Sequence, residues 1–182
     1  GVTVDFYIND DTAWLRKAVG WVVNIVVAIA CGWFLVYGFG EQILISGNSM
    51  QPQLSARDVV LMNRITYVTR APGRFVVVFE REDGKKNVKR IIGLPGETVQ
   101  IKDGLVYING EALKDDKMGE VSLAGRAAEP VRLGEKEYFL LGDNRSSSED
   151  SRFPNIGNVK REQILGKVWF RMLPLLDLGF VS

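Results

Sequence analysis

The chain has 182 residues, 46% hydrophobic and 25% charged, which is ordinary for a globular protein and allows one modest domain plus whatever is spent on a membrane. A formal net charge of +1 supplies no basic face for nucleic acid. The single cysteine forbids an intrachain disulfide, and the complete absence of histidine excludes Ser-His-Asp and Cys-His catalysis.

Residues 1 to 17 read as a short cytoplasmic tail, with Asp5, Asp10 and Asp11 near its start and no motif. Ala18 to Gly40 then runs without a charge and exceeds the roughly 20 residues that a spanning helix needs, which predicts a transmembrane helix over 18–40. Ala28 and Ala30 imitate a secretory cleavage site, but they fall inside an apolar run that continues through Gly32 to Phe39, so a cleaved leader is disfavoured. Arg16 and Lys17 flank one end and Glu41 the other, which places the N-terminus in the cytoplasm and residues 41–182 outside. Gly20, Asn24, Ala28 and Gly32 form a small-residue stripe, open to a helix dimer seam but more often a matter of composition.

The remainder reads as mainly β, an antiparallel sheet domain behind a single N-terminal helix. Strands are expected at Glu41 to Ser46, Val59 to Asn63 and Phe75 to Glu80, the last buried on both faces because Val76, Val77 and Val78 are consecutive. Lys89 lies on a returning strand, on the face opposite Arg90. Val99 to Ile101 pairs with Leu105 to Ile108, and Asn109-Gly110 makes the next hairpin. Residues 111–134 are polar and poorly patterned and read as a variable surface insertion. Tyr138 to Leu141 and Ile164 to Met172 are further strands. Leu173 to Val181 is an apolar tail too short to span, left to pack on the domain or to touch the bilayer surface.

Without histidine, a nucleophilic hydroxyl here needs lysine as its base, in a setting that keeps the amine neutral. Cys31 sits in the apolar run, a poor place for a thiolate. Ser49 stands in the turn S-G-N-S-M-Q-P, where a serine by default caps its own backbone. Lys89 has Val88, Ile91 and Ile92 close around it in sequence; by sequence alone it reads equally as a snorkelling edge-strand lysine.

The blocks S-G-N-S-M-Q-P (46–52), P-G-R-F-V-V-V-F (72–79), K-R-I-I-G-L-P-G-E (89–97) and G-D-N-R-S-S-S-E-D-S-R (142–152), in that order behind an apolar anchor, resemble the bacterial type I signal peptidases. These are membrane-anchored Ser-Lys endopeptidases that remove signal peptides after small residues during protein secretion. The resemblance implies Ser49 as nucleophile and Lys89 as general base, with Ser148 hydrogen-bonded to the Lys89 amine. It implies Asp150 paired with Arg152, and Asp143 and Arg145 bracing the loop. It implies Ile45, Met50, Leu54 and Val88 as walls of a shallow pocket for small side chains, residues that a hydrophobic core would equally use. Some family members carry a serine oxyanion donor two positions before the nucleophile, where this chain has Gly47, leaving the Ser49 backbone N–H as the main donor. The partners implied are preproteins and the lipid bilayer of the bacterial plasma membrane, with a single pass, no nucleic acid, no metal and no cofactor.

Ser49 lies about nine residues beyond the anchor, so at ~3.5 Å per residue its hydroxyl is within roughly 30 Å of the membrane, which suits a substrate whose apolar segment is itself in the bilayer. A self-cleaving Ser-Lys protease of the repressor type shares the dyad but expects a DNA-binding module in place of the helix. A non-catalytic membrane-tethered β module is the alternative outside the enzymes.

Overall fold

A computed structural model of the chain describes residues 13–65, 67, 70–114, 116 and 118–181, so the expected tail at 1–12 lies outside the described residues. The chain divides into two units, Gly1–Phe39 and Gly40–Ser182. In the first, helix α1 spans Ala13–Phe39. Within it, Trp14–Phe34 is long and apolar enough to cross a membrane. The helix starts five residues before the predicted 18, because Arg16 and Lys17 end the uncharged run without opposing helix formation.

In the second unit, the described residues form β1 (Gly40–Leu44), β2 (Val59–Asn63), β3 (Val76–Glu80), β4 (Lys86–Gly93), β5 (Thr98–Lys102), β6 (Leu105–Ile108), β7 (Glu111–Ala112), β8 (Val131–Arg132), β9 (Glu137–Leu141), β10 (Val159–Lys160), β11 (Ile164–Leu173) and β12 (Gly179–Phe180). The pairings are antiparallel. One sheet runs β1-β2-β11-β3-β4-β9-β10 with β12 added to β11, and a second runs β7-β6-β5-β8. The predicted mainly antiparallel β class behind an N-terminal helix is what the chain adopts.

Alternation along the strands sorts the core. Val76 and Val78 pack with Ile45, Met50, Leu54, Val60, Met62 and Val168 on one side of the large sheet. Val77 and Phe79 pack with Ile91, Tyr138, Leu140 and Ile164 on the other. β3 is therefore buried on both faces, as its unbroken apolar run requires. Each such side chain contributes about 1.5–3 kcal/mol of burial. Ile45, which follows β1, and Val88 of β4 pack on the same cluster, although β2, β11 and β3 lie between their strands. The sheet thus curls until its first strand approaches its fifth.

The second sheet packs Val99, Ile101 and Val106 against Ile92, Phe139 and Leu141 of the first. Here the reading of 111–134 as a surface insertion needs correction. Val121, Ala127 and Leu133 from that stretch are buried in the same cluster, because isolated apolar residues in a polar run still reach a core when the backbone folds over it. At the C-terminus β12 pairs with β11 and Val181 is buried, whereas Leu175, Leu176, Leu178 and Phe180 are exposed.

Candidate active site

Ser49 sits in the turn region between β1 and β2. Its neighbours pin that segment, since Met50 and Leu54 are fully buried and Leu54 N–H donates to the Met50 carbonyl at 2.9 Å. The loop after β9 grips the turn from the other side, with Asn144 N–H donating to the Ser49 carbonyl at 3.0 Å and Asn144 Nδ2 to the Asn48 carbonyl at 3.1 Å. Gly47 has φ +88°, a conformation that a side chain resists, so the backbone itself disfavours a serine at that point.

Lys89 extends from β4 to meet this turn. Its Nζ donates to Ser49 Oγ at 2.7 Å, and the residue is only 3% exposed. Burial pulls its pKa from 10.5 down to about 8, against the opposite pull of the Asp150 and Glu149 carboxylates and with help from the Arg152 and Arg81 guanidiniums. A lysine so placed is a base poised near neutrality rather than a permanent cation.

The loop 142–152 is held by buried charge. Arg152 Nε donates to Asp150 Oδ1 at 2.8 Å and Nη2 to Oδ2 at 2.9 Å. Arg152 also donates to the carbonyls of Leu123, Arg145 and Ser148, and Asp150 accepts from Gly142 N–H at 3.0 Å. Arg145 pairs with Asp116 at 2.6 Å and Asp143 with Arg90 at 2.7 Å. All four predicted supports are buried. Their partners Arg90 and Asp116 escaped sequence reasoning. Arg90 follows Lys89 on β4, and its role as a brace between Asp143 and Gln53 depends on tertiary contacts. Asp116 lies in the polar, poorly patterned stretch 111–134, where no local signal marks it.

Removing one member of the central pair strands the other. Arg152→Ala is expected to cost about 3–5 kcal/mol by leaving Asp150 buried and unpaired, read as a lowered urea midpoint of the detergent-solubilised protein. A midpoint equal to wild type counts against this role.

Ser148 is placed beside the site but not as expected. Its buried hydroxyl has no hydrogen-bond partner, so the predicted bond to Lys89 is not formed; the amine is turned to Ser49 instead. Gly142 lies between them, another residue that sequence reasoning missed. A Cβ added there would sit 2.5 Å from the Ser49 carbonyl oxygen and from Ser148 Cβ, and closer still to Ser148 Oγ. Ile45, Met50 and Leu54 are buried and Val88 is partly buried against the same cluster. They pack in one cluster and serve as core, with Met50 and Val88 adjoining Ser49 and Lys89 in the chain.

The signal peptidase family model, peptidase S26, matches residues 18–173. The chain is 34% identical over 182 residues to a probable signal peptidase I-2 of Synechocystis, covering 94% of this chain and 79% of the relative. It is 33% identical over 170 residues to signal peptidase I T of Bacillus subtilis, covering 87% and 86%. A crystal structure of a signal peptidase I from Enterococcus faecalis is 34% identical, with a TM-score of 0.46 over 54% of this chain and 97% of that one.

Proposed function

The chain belongs to the signal peptidase family, peptidase S26, and we propose that it is a membrane-bound serine endopeptidase that removes signal peptides from secreted preproteins using Ser49 and Lys89. The observation that carries the reading is the 2.7 Å contact between Lys89 Nζ and Ser49 Oγ, made by a lysine whose pKa burial lowers to about 8.

In the neutral state the Ser49 hydroxyl donates to the Lys89 lone pair. Oγ attacks the scissile carbonyl while Nζ takes the proton, and the C–N bond then breaks as Nζ returns that proton to the leaving amine. Water, deprotonated by the same amine, attacks the acyl-enzyme; the ester bond breaks and Ser49 regains its proton. The Ser49 backbone N–H is the oxyanion donor, and Gly47 adds no side chain to it. Once Oγ is acylated Lys89 loses its partner, and the unused hydroxyl of Ser148 is the group to replace it as an orienting contact.

The substrate chain lies extended in the cleft between β1 and the Lys86 to Lys89 stretch of β4. Each is paired there on one side, β1 to β2 and β4 to β3, so main-chain edges remain for a third strand. Ile45, Met50, Leu54 and Val88 form the slot that admits small side chains. Arg16 and Lys17 at the start of α1 support a cytoplasmic N-terminus, with the β unit outside the plasma membrane.

The intact chain in detergent, incubated with a preprotein bearing a small-x-small cleavage site, is expected to release the mature form, and Ser49→Ala to release none. Cleavage by Ser49→Ala at the wild-type rate overturns the assignment. Failure of wild type to cleave any preprotein favours the non-catalytic tether.

A further inference from the structure

The peptide unit that joins Asn48 to Ser49 is trans and planar, so the Asn48 carbonyl and the Ser49 N–H point in opposite directions and neither turns without the other. The Ser49 N–H makes no backbone hydrogen bond among the described residues, and Gly47 has no side chain to act as a second oxyanion donor. A group that fixes the Asn48 carbonyl therefore also aims the N–H on which the oxyanion depends.

Two donors hold that carbonyl. One is local, the Gln51 N–H at 3.2 Å across the turn. The other comes from the loop after β9, Asn144 Nδ2 at 3.1 Å, 96 residues away in sequence. The Asn144 amide is itself oriented, since its Oδ1 accepts from the Ser147 N–H at 3.1 Å and from Ser146 Oγ at 3.0 Å. A backbone N–H can only donate, so Oδ1 belongs on that side and Nδ2 is left to face Asn48. The Asn144 backbone N–H grips the next carbonyl, that of Ser49, at 3.0 Å. One residue thus binds the carbonyls of both Asn48 and Ser49. A hydrogen bond to the carbonyl end of a peptide also draws charge from its N–H end and makes it a stronger donor, the mutual polarisation of chained hydrogen bonds.

We propose that Asn144 is a positioning residue for the oxyanion, its side-chain amide aiming and polarising the Ser49 N–H through the Asn48–Ser49 peptide. The inference rests on the peptidase reading and adds a residue that acts without touching the substrate. Negative charge on the substrate oxygen develops only as Ser49 attacks, so the amide's contribution belongs to the transition state. A contact that merely held the loop in place would weaken ground-state and transition-state binding alike.

The test uses the intact protein in detergent and two variants that keep the backbone bond from Asn144 to Ser49. Asn144→Ala removes the side-chain bonds; Asn144→Asp keeps the acceptor for Ser146 and Ser147 and puts an oxygen where the donor was. Rates are read on the alkaline plateau, where Lys89 is neutral in every variant. Each is expected to lower kcat about 5–30-fold, less than the 10²–10³ that loss of a direct oxyanion donor costs, with KM within about twofold of wild type. A peptide aldehyde adds Ser49 Oγ to its carbonyl carbon, and the hemiacetal oxygen then occupies the oxyanion position. Its affinity is expected to fall by the same factor as kcat/KM, whereas the parent peptide binds Ser49→Ala and Ser49→Ala combined with Asn144→Asp equally well. Should Asn144→Ala fail to fold, Asn144→Asp decides. Equal losses for the aldehyde and the parent peptide mark a displaced turn, and an unchanged kcat in Asn144→Asp marks an idle contact; either overturns the proposal and leaves the peptidase reading standing. Wild type that cleaves no preprotein overturns both.

Discussion

Lys89→Arg is expected to lower kcat/KM for preprotein cleavage by about 10³-fold or more, in spite of keeping the charge and most of the length. A guanidinium has no lone pair to accept the Ser49 proton and stays protonated throughout the usable pH range, so the 2.7 Å contact that Lys89 makes becomes a contact with a permanent donor. Loss of a positioned general base costs 10²–10⁴, and this base is asked to act in both halves of the reaction. The wild-type pH profile supplies the companion observation. With the Lys89 pKa near 8, kcat/KM is expected to rise about tenfold per pH unit below that value and to level above it. The linkage to stability has a definite sign: between about 8 and 10.5 the unfolded chain keeps a proton that folded Lys89 has lost, so this residue makes the fold more stable as pH rises through that window. Wild-type-like turnover by Lys89→Arg, or a flat profile from pH 6 to 9, removes Lys89 as the base.

Gly142→Ala is expected to abolish measurable cleavage, at least about 10²-fold, and to cost about 1–3 kcal/mol as overpacking. The substitution adds one methyl group, but its atoms fall 2.5 Å from the Ser49 carbonyl oxygen and from Ser148 Cβ. The Ser49 carbonyl oxygen is held backbone, and Ser148 Cβ is fixed to its own backbone, so that rotating the Ser148 hydroxyl away leaves both contacts in place. The Ser49 carbonyl accepts from Asn144 N–H two residues downstream of the glycine, and Gly142 N–H donates to Asp150. Relief therefore requires the loop to move off the nucleophile turn, carrying Ser148 with it. Unchanged kcat together with an unchanged melting temperature shows that the loop yields locally and that the close approach does not position Ser49.

The sequence made legible whatever alternation or local punctuation encodes. Val76 to Phe79 announced a doubly buried strand and divides its side chains between two clusters as period two demands. The return of the chain at Asn109-Gly110 places β6 and β7 as the dipeptide predicts. The candidate dyad was legible by elimination and by family resemblance, since a chain without histidine that carries a Ser-Gly-Asn-Ser turn and an apolar-flanked lysine leaves few other pairings. What escaped is what depends on distant residues meeting. Val121, Ala127 and Leu133 are too sparse to show a period, yet they help close the second core. The Ser148 hydroxyl is placed near the site by the buried Asp150–Arg152 pair, and its lack of a partner is a matter of a rotamer no motif records.

The C-terminal tail carries a practical consequence for anyone preparing the catalytic part alone. Cutting the chain at Phe39 discards the apolar helix, but Leu175, Leu176, Leu178 and Phe180 remain 71%, 99%, 51% and 81% exposed. Clustered greasy side chains of this kind drive self-association in plain buffer. The truncated fragment would still call for surfactant during purification, and trimming that cluster to serine or threonine is the change that would free it from the micelle.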